Sequence, residues 1–462
     1  MKPSHNARPV FDDPNVVSDA GLVPALRLAE SAGLFELLAG VSVPAPNAVA
    51  KASCVVAGML AGADSIDDLD RLRHGGMGRL FTGIRAPSTL GTFLRSFTHG
   101  HVQQLDKVNA GVLAGLAERV PGLLVDNASN GSDGDGGLAF IDVDDTIAEV
   151  HGHAKQAAAI GYTRVRGLNV QLATVSTPAA APVIARARLR RGNRVSHAGA
   201  PRMLAQAIST ARGAGVEGRV LVRADSGYYR HAFVTTAIRH DAWFSVTARL
   251  DPLVTAAITS IGPKAWTPIN YPNAVFDTEQ QAWISDAEVA EVPFTAFVKQ
   301  PKNQRVTCRL VVRRVKRIQP RANDGTGQGE LFASYRHHAF ITNSTLSTLE
   351  ADQRHRDHAV IEQVIAELKA GPLAHLPSGR YPANAAWVAH AAIAFNIARA
   401  IAATHTGHHR WATLRTRIIN VPARIATTGR RLVLHLPRDW PWATAWHELW
   451  THATGPPPAT TT

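Results

Sequence analysis

Apolar residues recur at helical spacing through the first quarter of the chain. Leu34, Leu37 and Leu38 follow one another at such intervals, and residues 48–63 form a second apolar run. A pattern with a period near 3.6 residues is typical of helices that bury one face. The sequence therefore predicts helices throughout residues 17–125.

A polar segment, residues 127–137, is rich in Gly, Ser, Asp and Asn and predicts a linker. After it, apolar runs of strand length occupy residues 138–143, 168–175 and 182–189, and short helical and strand patterns then alternate up to residue 248. Three strands followed by alternating helix and strand predict a mixed sheet covered by helices. The predicted fold class is therefore α/β.

The alternation stops at residue 251, and only short β-like segments follow as far as residue 340. This change predicts a β-rich insertion within the α/β domain. A helix over residues 355–370 comes next and ends at Gly371-Pro372. The longest apolar stretch, residues 385–403, is interrupted by polar side chains, so we expect a buried helix and no membrane span.

These changes of pattern divide the chain into five predicted parts. They are a helical N-terminal domain (1–130), the first part of the α/β core (131–250), the β-rich insertion (251–340), the final core helices (341–400) and a basic, Trp-rich C-terminal region (401–462). No apolar signal-peptide segment is visible near the start, so we expect a cytoplasmic protein. Two Cys residues are too few for a disulfide framework or a Cys-rich zinc site.

Positive charge dominates the composition. The 462 residues include 49 Lys and Arg against 36 Asp and Glu, and 40 of the 49 are Arg. Arg presents a planar set of donors that suits phosphate, which favours a polyanionic partner, although a GC-rich genome would give the same bias. Nine positive charges and no acid occur within residues 299–321, and eight Arg and no acid within residues 399–438. Uncompensated positive charge of this kind indicates DNA binding. Two interpretations of the N-terminal helices stay open: a helix-turn-helix-like module that also contacts DNA, and a plain packing domain.

Candidate carboxylates stand where strand patterns end. Asp142 and Asp144 are two residues apart on the first predicted strand, so they share a face, and Asp145 faces the other way. Asp225 directly follows the strand pattern of residues 219–224, at the edge where α/β proteins commonly build their sites. A carboxylate beside an apolar strand needs a partner or a metal ion. Each Asp, taken singly, also suits a helix cap or a turn.

The helix predicted after the insertion has a polar stripe beside its apolar stripe. His355, His358, Glu362 and Lys369 recur at helical spacing on the polar stripe. Acidic and basic residues at this spacing usually form a solvated face, and Glu367 is an alternative functional carboxylate.

Two strand-end Asp residues and one helical Glu would together suit two Mg²⁺ ions, with Mn²⁺ as a substitute. Two such ions about 3.5–4 Å apart activate a water or sugar hydroxyl and stabilise the leaving 3′-oxygen in phosphodiester displacement. The surrounding basic residues would neutralise the DNA backbone.

The motifs IDVDDT, RADSGYY and HRDHAVIEQVIAELK, in this order, resemble those of DDE transposases from bacterial insertion sequences, in particular the group written IS thirteen-eighty. The resemblance continues through PLAHLPSG and NAAWVAHAAIAFNIAR. It implies an RNase H-like, mixed-sheet catalytic core, interrupted by the β-rich insertion. It places the catalytic, metal-binding acids on Asp144, Asp225 and Glu362, with Asp142 as a competitor for the first position.

The resemblance also implies DNA contacts. Lys369 matches a Lys of the family, whereas His358 and His355 stand where relatives often have Arg and Tyr. A His donates to phosphate more weakly and in a pH-dependent manner. Trp266 or Trp283 would stack on a flipped base, unless it is an ordinary core residue. Within the basic insertion, the predicted DNA-binding residues are Arg313, Arg314, Lys316 and Arg317.

The function implied is that of a cut-and-paste transposase. It would bind terminal inverted repeats as a homodimer on double-stranded DNA, cleave at the element ends and join the exposed 3′-hydroxyl to target DNA. Two alternatives stay open on the sequence: a metal-dependent nuclease of similar fold that does not join ends, and a catalytically inactive relative that only binds DNA.

Overall fold

Helices form most of the N-terminal part of the computed structural model. A two-residue strand, β1 (Val16–Val17), precedes helices α1 (Leu22–Ser31), α2 (Leu34–Ala39), α3 (Ala48–Ala61), α4 (Met77–Leu80), α5 (Pro87–Arg95) and α6 (His99–Arg119). Thr98 begins α6 through a capping box, since its side chain accepts from the His101 N–H. The structure describes residues 1–2, 6–124, 137–178, 180–269, 276–277, 282–283, 287–316, 335–405, 410–429 and 431–455.

The centre of the molecule is a mixed sheet. Its first half contains β2 (Leu138–Glu149), β3 (Ala159–Ile160), β4 (Arg166–Ser176), β5 (Val183–Arg191), β6 (Arg219–Ala224) and β7 (Trp243–Thr247). Strands β2, β6 and β7 are parallel neighbours, whereas β4 is antiparallel to β2 and to β5. Helices α7 (Ala200–Gly213) and α8 (His231–Arg239) connect these strands.

Residues 251–340 extend the same sheet. Helix α9 (Pro252–Thr259) is followed by β8 (Thr267–Ile269), β9 (Phe276–Asp277), β10 (Ala282–Trp283), β11 (Ala287–Ala296), β12 (Val306–Lys316) and β13 (Tyr335–Thr342). Strand β13 pairs with β7, and β12, β11 and β8 follow β13 in turn. The strand order of the whole sheet is β3-β4-β2-β6-β7-β13-β12-β11-β8. This β-rich segment therefore shares hydrogen bonds with the core sheet.

The helix predicted over residues 355–370 is divided in two. Helix α10 (Thr348–Arg356) is separated from α11 (Val360–Lys369) by a single 3-10 turn, Asp357–Ala359. Helix α12 (Tyr381–Ala403) is long and apolar enough to cross a membrane, but its apolar window is entirely buried inside the structure. The prediction of a buried core helix is therefore confirmed.

Both ends of the chain pack around α12. Helices α3, α5 and α6 lie against it, and so does α13 (Trp411–Leu414). Strand β14 (Ala423–Thr428) pairs with β1 and with β15 (Arg431–His435), and α14 (Ala443–Thr454) packs on α1. The two terminal parts of the chain share one hydrophobic core with the sheet.

Candidate active site

Two parallel strands bring the predicted Asp residues to the same sheet edge. The register pairs Asp142 with Arg223 and Val143 with Ala224. Asp144 and Asp225 are therefore the next residues on adjacent strands, at the carboxyl end of β6. Asp225 also caps the short 3-10 helix Ser226–Tyr228, because its Oδ1 accepts a 2.9 Å hydrogen bond from the Gly227 N–H.

The carboxylates of Asp144 and Asp225 destabilise each other's charge. Burial raises the pKa of Asp144 to about 6, and the negative charges of Asp225 and Asp145 act in the same direction. Desolvation also raises the pKa of Asp225 above its usual range. No described Lys or Arg forms an ion pair with either side chain. The positive charge of His358 acts to lower the pKa of both carboxylates, and two adjacent carboxylates without a described Lys or Arg partner favour the binding of a metal cation.

Asp142 has a different environment, although it shares the strand face with Asp144. It is fully buried, and the Arg223 guanidinium donates to both of its oxygens at 2.7 Å. His358 Nδ1 lies 2.8 Å from Asp142 Oδ1. Burial alone would raise the pKa of Asp142, but Arg223 and His358 outweigh it and hold that pKa below its usual range. The structure thus favours Asp144 over Asp142 for the first metal-binding position.

Asp145 points to the opposite face of β2, as strand alternation requires. Arg190 on β5 donates to its Oδ2 at 2.8 Å, and the Tyr228 hydroxyl donates to its Oδ1 at 3.1 Å. The Arg190 and Asp145 side chains are only 6% and 3% exposed. This ion pair is therefore a structural contact between the central and edge strands.

The two His residues predicted to contact DNA have partners inside the protein. His355 places its ring nitrogens 2.8 Å from Ser245 Oγ and 3.1 Å from Thr247 Oγ1, and it stacks on Phe340 at a centroid distance of 4.1 Å. Burial lowers the pKa of His355 to about 3, so it is neutral. These contacts favour a packing role for His355 over the predicted phosphate contact.

Of these two His residues, His358 is the more suitable candidate for the predicted phosphate contact. Burial alone would lower its pKa, but the hydrogen bond to Asp142 and the charges of Asp142 and Asp144 raise it overall. The negative charges of Asp142 and Asp144 would thus both stabilise a protonated His358.

Glu362 and Lys369 lie at opposite ends of α11, which packs on β2. Both are exposed, and no hydrogen bond or ion pair of Glu362 occurs within the described residues. Glu367 instead accepts from Arg399 and from the Trp411 backbone N–H, each at 2.7 Å. The alternative carboxylate on this helix is therefore occupied by structural contacts.

The basic residues of β12 are largely paired. Glu291 lies 2.7 Å from Arg309, Glu288 lies 2.6 Å from Arg314, and Asp352 lies 3.9 Å from Arg313. The prediction that this stretch is uncompensated is therefore wrong for these three Arg residues, because acids from β11 and α10 reach it in the fold.

The rest of the predicted contacts in this region are only partly described. Arg314 also lies over the Trp266 ring at 4.1 Å, so this Trp already has a cation–π partner. Lys316 is exposed at the end of β12. Arg317 and the side chain of Trp283 lie outside the described residues.

A family model described as a transposase DDE domain, group 1, matches residues 4–453. The chain belongs to this family. Membership implies DNA binding and a role in transposition, and such transposases generally use divalent metal ions. The mixed α/β sheet is compatible with an RNase H-like DDE domain. No curated protein matches the chain.

The donor set of this DDE transposase suits a divalent metal ion. Asp144 and Asp225 offer hard carboxylate oxygens that form no ion pair with a described Lys or Arg, and burial raises the pKa of both. No group of three or more His, Cys, Asp or Glu in the described part of the chain lies close enough to hold a metal ion. The structure thus brings together two of the three predicted ligands, while Glu362 lies on the adjoining helix.

Two functional neighbours were not identified from the sequence. Arg223 and Arg190 occupy the positions that neutralise Asp142 and Asp145. The available signal was the charged Arg223 within a mostly apolar strand pattern, two residues before Asp225.

Proposed function

We propose that this protein is an insertion-sequence transposase that cleaves DNA at the element ends and joins the exposed 3′-hydroxyl to target DNA. The observation that carries the proposal is the pair of desolvated carboxylates, Asp144 and Asp225, which lie on adjacent parallel strands of a DDE-family chain and have no described Lys or Arg partner. The order of motifs further supports assignment to the IS thirteen-eighty group.

In the proposed site, Asp144, Asp225 and Glu362 hold divalent ions, Mg²⁺ in the first place and Mn²⁺ as a substitute. When bound, two such ions activate the attacking water or 3′-hydroxyl and stabilise the leaving oxygen. Glu362 is exposed on a helix that packs on β2, the strand of Asp144, which supports its role as the third ligand.

The remaining residues hold the site and the DNA strand. Arg223 and His358 fix Asp142 and with it the strand that carries Asp144. Lys369 is exposed on the same helix as Glu362 and suits a phosphate contact. Lys316, with Arg313, Arg314 and Arg317, remains our proposed contact to the DNA backbone in the insertion. Concerted cleavage of two ends favours a homodimer assembled on double-stranded DNA, in the bacterial cytoplasm.

The test is end cleavage with variants that keep side-chain volume. The substrate is DNA carrying the inverted repeats that should flank the reading frame, with Mg²⁺ or Mn²⁺ supplied. We expect Asp144→Asn, Asp225→Asn and Glu362→Gln each to lower the cleavage rate by about 1000-fold or more, which is about 4 kcal/mol. Asp241→Asn, on an 88% exposed side chain, is the matched control and should cleave normally. Undiminished cleavage by the first three variants would refute the assignment.

Joining is tested separately with pre-cleaved ends. A transposase gives strand-transfer product from these ends and target DNA, whereas a nuclease of the same fold gives none. Specific binding of the inverted repeats without cleavage by the wild-type protein would instead indicate an inactive relative.

A further inference from the structure

A cavity lined by many charged side chains lies away from the candidate active site. Its volume is about 550 Å³, within the usual size of ligand pockets. It is bounded by the edge strand β5, by α6 and α7, and by the start of α12. None of the proposed metal ligands, Asp144, Asp225 and Glu362, lines it.

Positive charge dominates the walls of this cavity. One acidic residue, Asp106, faces seven cationic residues, which are Lys107, Arg186, Arg188, Arg190, Arg191, Arg194 and Arg202. Strand alternation explains part of this concentration, because Arg186, Arg188 and Arg190 occupy every second position of β5. Burial lowers the pKa of Arg186 and of Arg188, and neighbouring Arg charges act in the same direction.

The individual Arg residues are not equally engaged. Arg190 has Asn169, Asp145 and three backbone carbonyls as hydrogen-bond partners. The Nε atom of Arg186 is buried and has no hydrogen-bond partner within the described structure. Arg188 has one 3.3 Å contact, to Gln206 Oε1. A buried donor without a hydrogen-bond partner calls for an explanation, and a bound anion is one that suits the positive walls of this cavity.

We infer that this cavity, here named the β5 pocket, binds backbone phosphates of a DNA strand. The inference rests on the proposed function. Guanidinium groups pair with phosphate oxygens through two parallel hydrogen bonds, and a phosphate in the pocket would neutralise the mutual repulsion of the Arg residues. The exposed Arg191 and Arg194 continue the positive charge outward from the half-buried Arg186 and Arg188. A continuous strand would use both sets, whereas a free phosphate needs only the inner one.

The pocket is joined to the strand of the candidate active site. Arg190 lines the pocket and also binds Asp145, which directly follows Asp144 on β2. A DNA strand bound in the pocket would therefore lie near β2, the strand that carries Asp144, but on the opposite face of β2 from Asp144.

The test is the binding of a short fluorescent DNA duplex, followed by anisotropy in EDTA so that no cleavage occurs. We expect the double variant Arg188→Gln, Arg202→Gln to bind at least about tenfold more weakly, with a salt dependence reduced by about one ion per lost phosphate contact. Each of the two pocket changes is also tested alone against Arg239→Gln, an exposed Arg on α8 outside the pocket, which likewise removes one positive charge and should change affinity by less than about twofold. Melting temperatures establish that each variant is folded.

Asp106→Asn tests the sign of the effect. It removes the acidic group of the pocket, so we expect tighter DNA binding, which a folding defect would not produce.

Inorganic pyrophosphate is the second probe. If the double variant binds DNA as the control does, or loses only pyrophosphate binding, the inference is overturned. Cleavage by the wild-type protein is measured separately in Mg²⁺, so failure of cleavage and failure of this pocket are distinguishable.

Discussion

Three Asp residues within four positions of β2 have opposite environments. Asp142 and Asp145 are buried against Arg223 and Arg190, with donor–acceptor distances of 2.7 and 2.8 Å. Asp144 lies between them in sequence but faces Asp225, another acid. The difference indicates that the partner, and not burial alone, separates a structural carboxylate from one available for chemistry.

Asp142 should give the largest effect on stability. Asp142→Asn leaves the buried Arg223 charge without its counter-ion, so we expect a loss of about 3–5 kcal/mol in the free energy of unfolding. Urea denaturation measures it. The double variant Asp142→Leu, Arg223→Met removes both charges and should recover most of that loss. A single variant as stable as wild type would contradict the structural role of this pair.

His355 and His358 should give opposite pH dependences of stability. The pKa of His355 is lowered to about 3, so the unfolded chain takes up its proton first and stability is lost as the pH falls below about 6.5. Between about pH 6.5 and pH 4 this amounts to about 3 kcal/mol.

The pKa of His358 is raised, so its contribution is present below the unfolded pKa and is lost as the pH rises through the folded one. Unfolding of His355→Gln and of His358→Gln across this pH range measures both effects. Parallel pH profiles for the two variants would refute the assignment.

The two Glu residues of α11 should differ by a smaller amount. Glu367→Gln weakens the contacts with Arg399 and the Trp411 N–H, and we expect a loss of about 1–3 kcal/mol. Glu362→Gln changes an exposed side chain and should stay within about 0.5 kcal/mol. Thermal unfolding of both variants measures this contrast. A larger loss for Glu362→Gln would indicate that Glu362 is the structural carboxylate.

Asp144→Asn should change stability in the opposite direction to Asp142→Asn. Removing a charge that burial disfavours, and that Asp225 and Asp145 repel, should stabilise the metal-free protein at neutral pH. Denaturation in EDTA measures this change. A marked destabilisation by Asp144→Asn would contradict this account, because it would mean that the Asp144 carboxylate stabilises the folded protein.

Much of this arrangement could be predicted from local pattern. Alternation along β2 placed Asp142 and Asp144 on one face, and the apolar run of residues 385–403 indicated a core helix. The pairing of Arg223 with Asp142 could not be predicted with equal ease, because it depends on the register of strands far apart in sequence. The same holds for Glu288 and Asp352, which neutralise arginines that look uncompensated within their own stretch.

The most direct test of the metal site is a Mn²⁺ titration of the DNA-free protein, followed by electron paramagnetic resonance of the free ion. Wild type and Asp241→Asn should bind Mn²⁺ equally, whereas Asp144→Asn and Asp225→Asn should each bind it at least about tenfold more weakly. Equal Mn²⁺ binding by all four proteins would contradict the assignment of this carboxylate pair as the metal site.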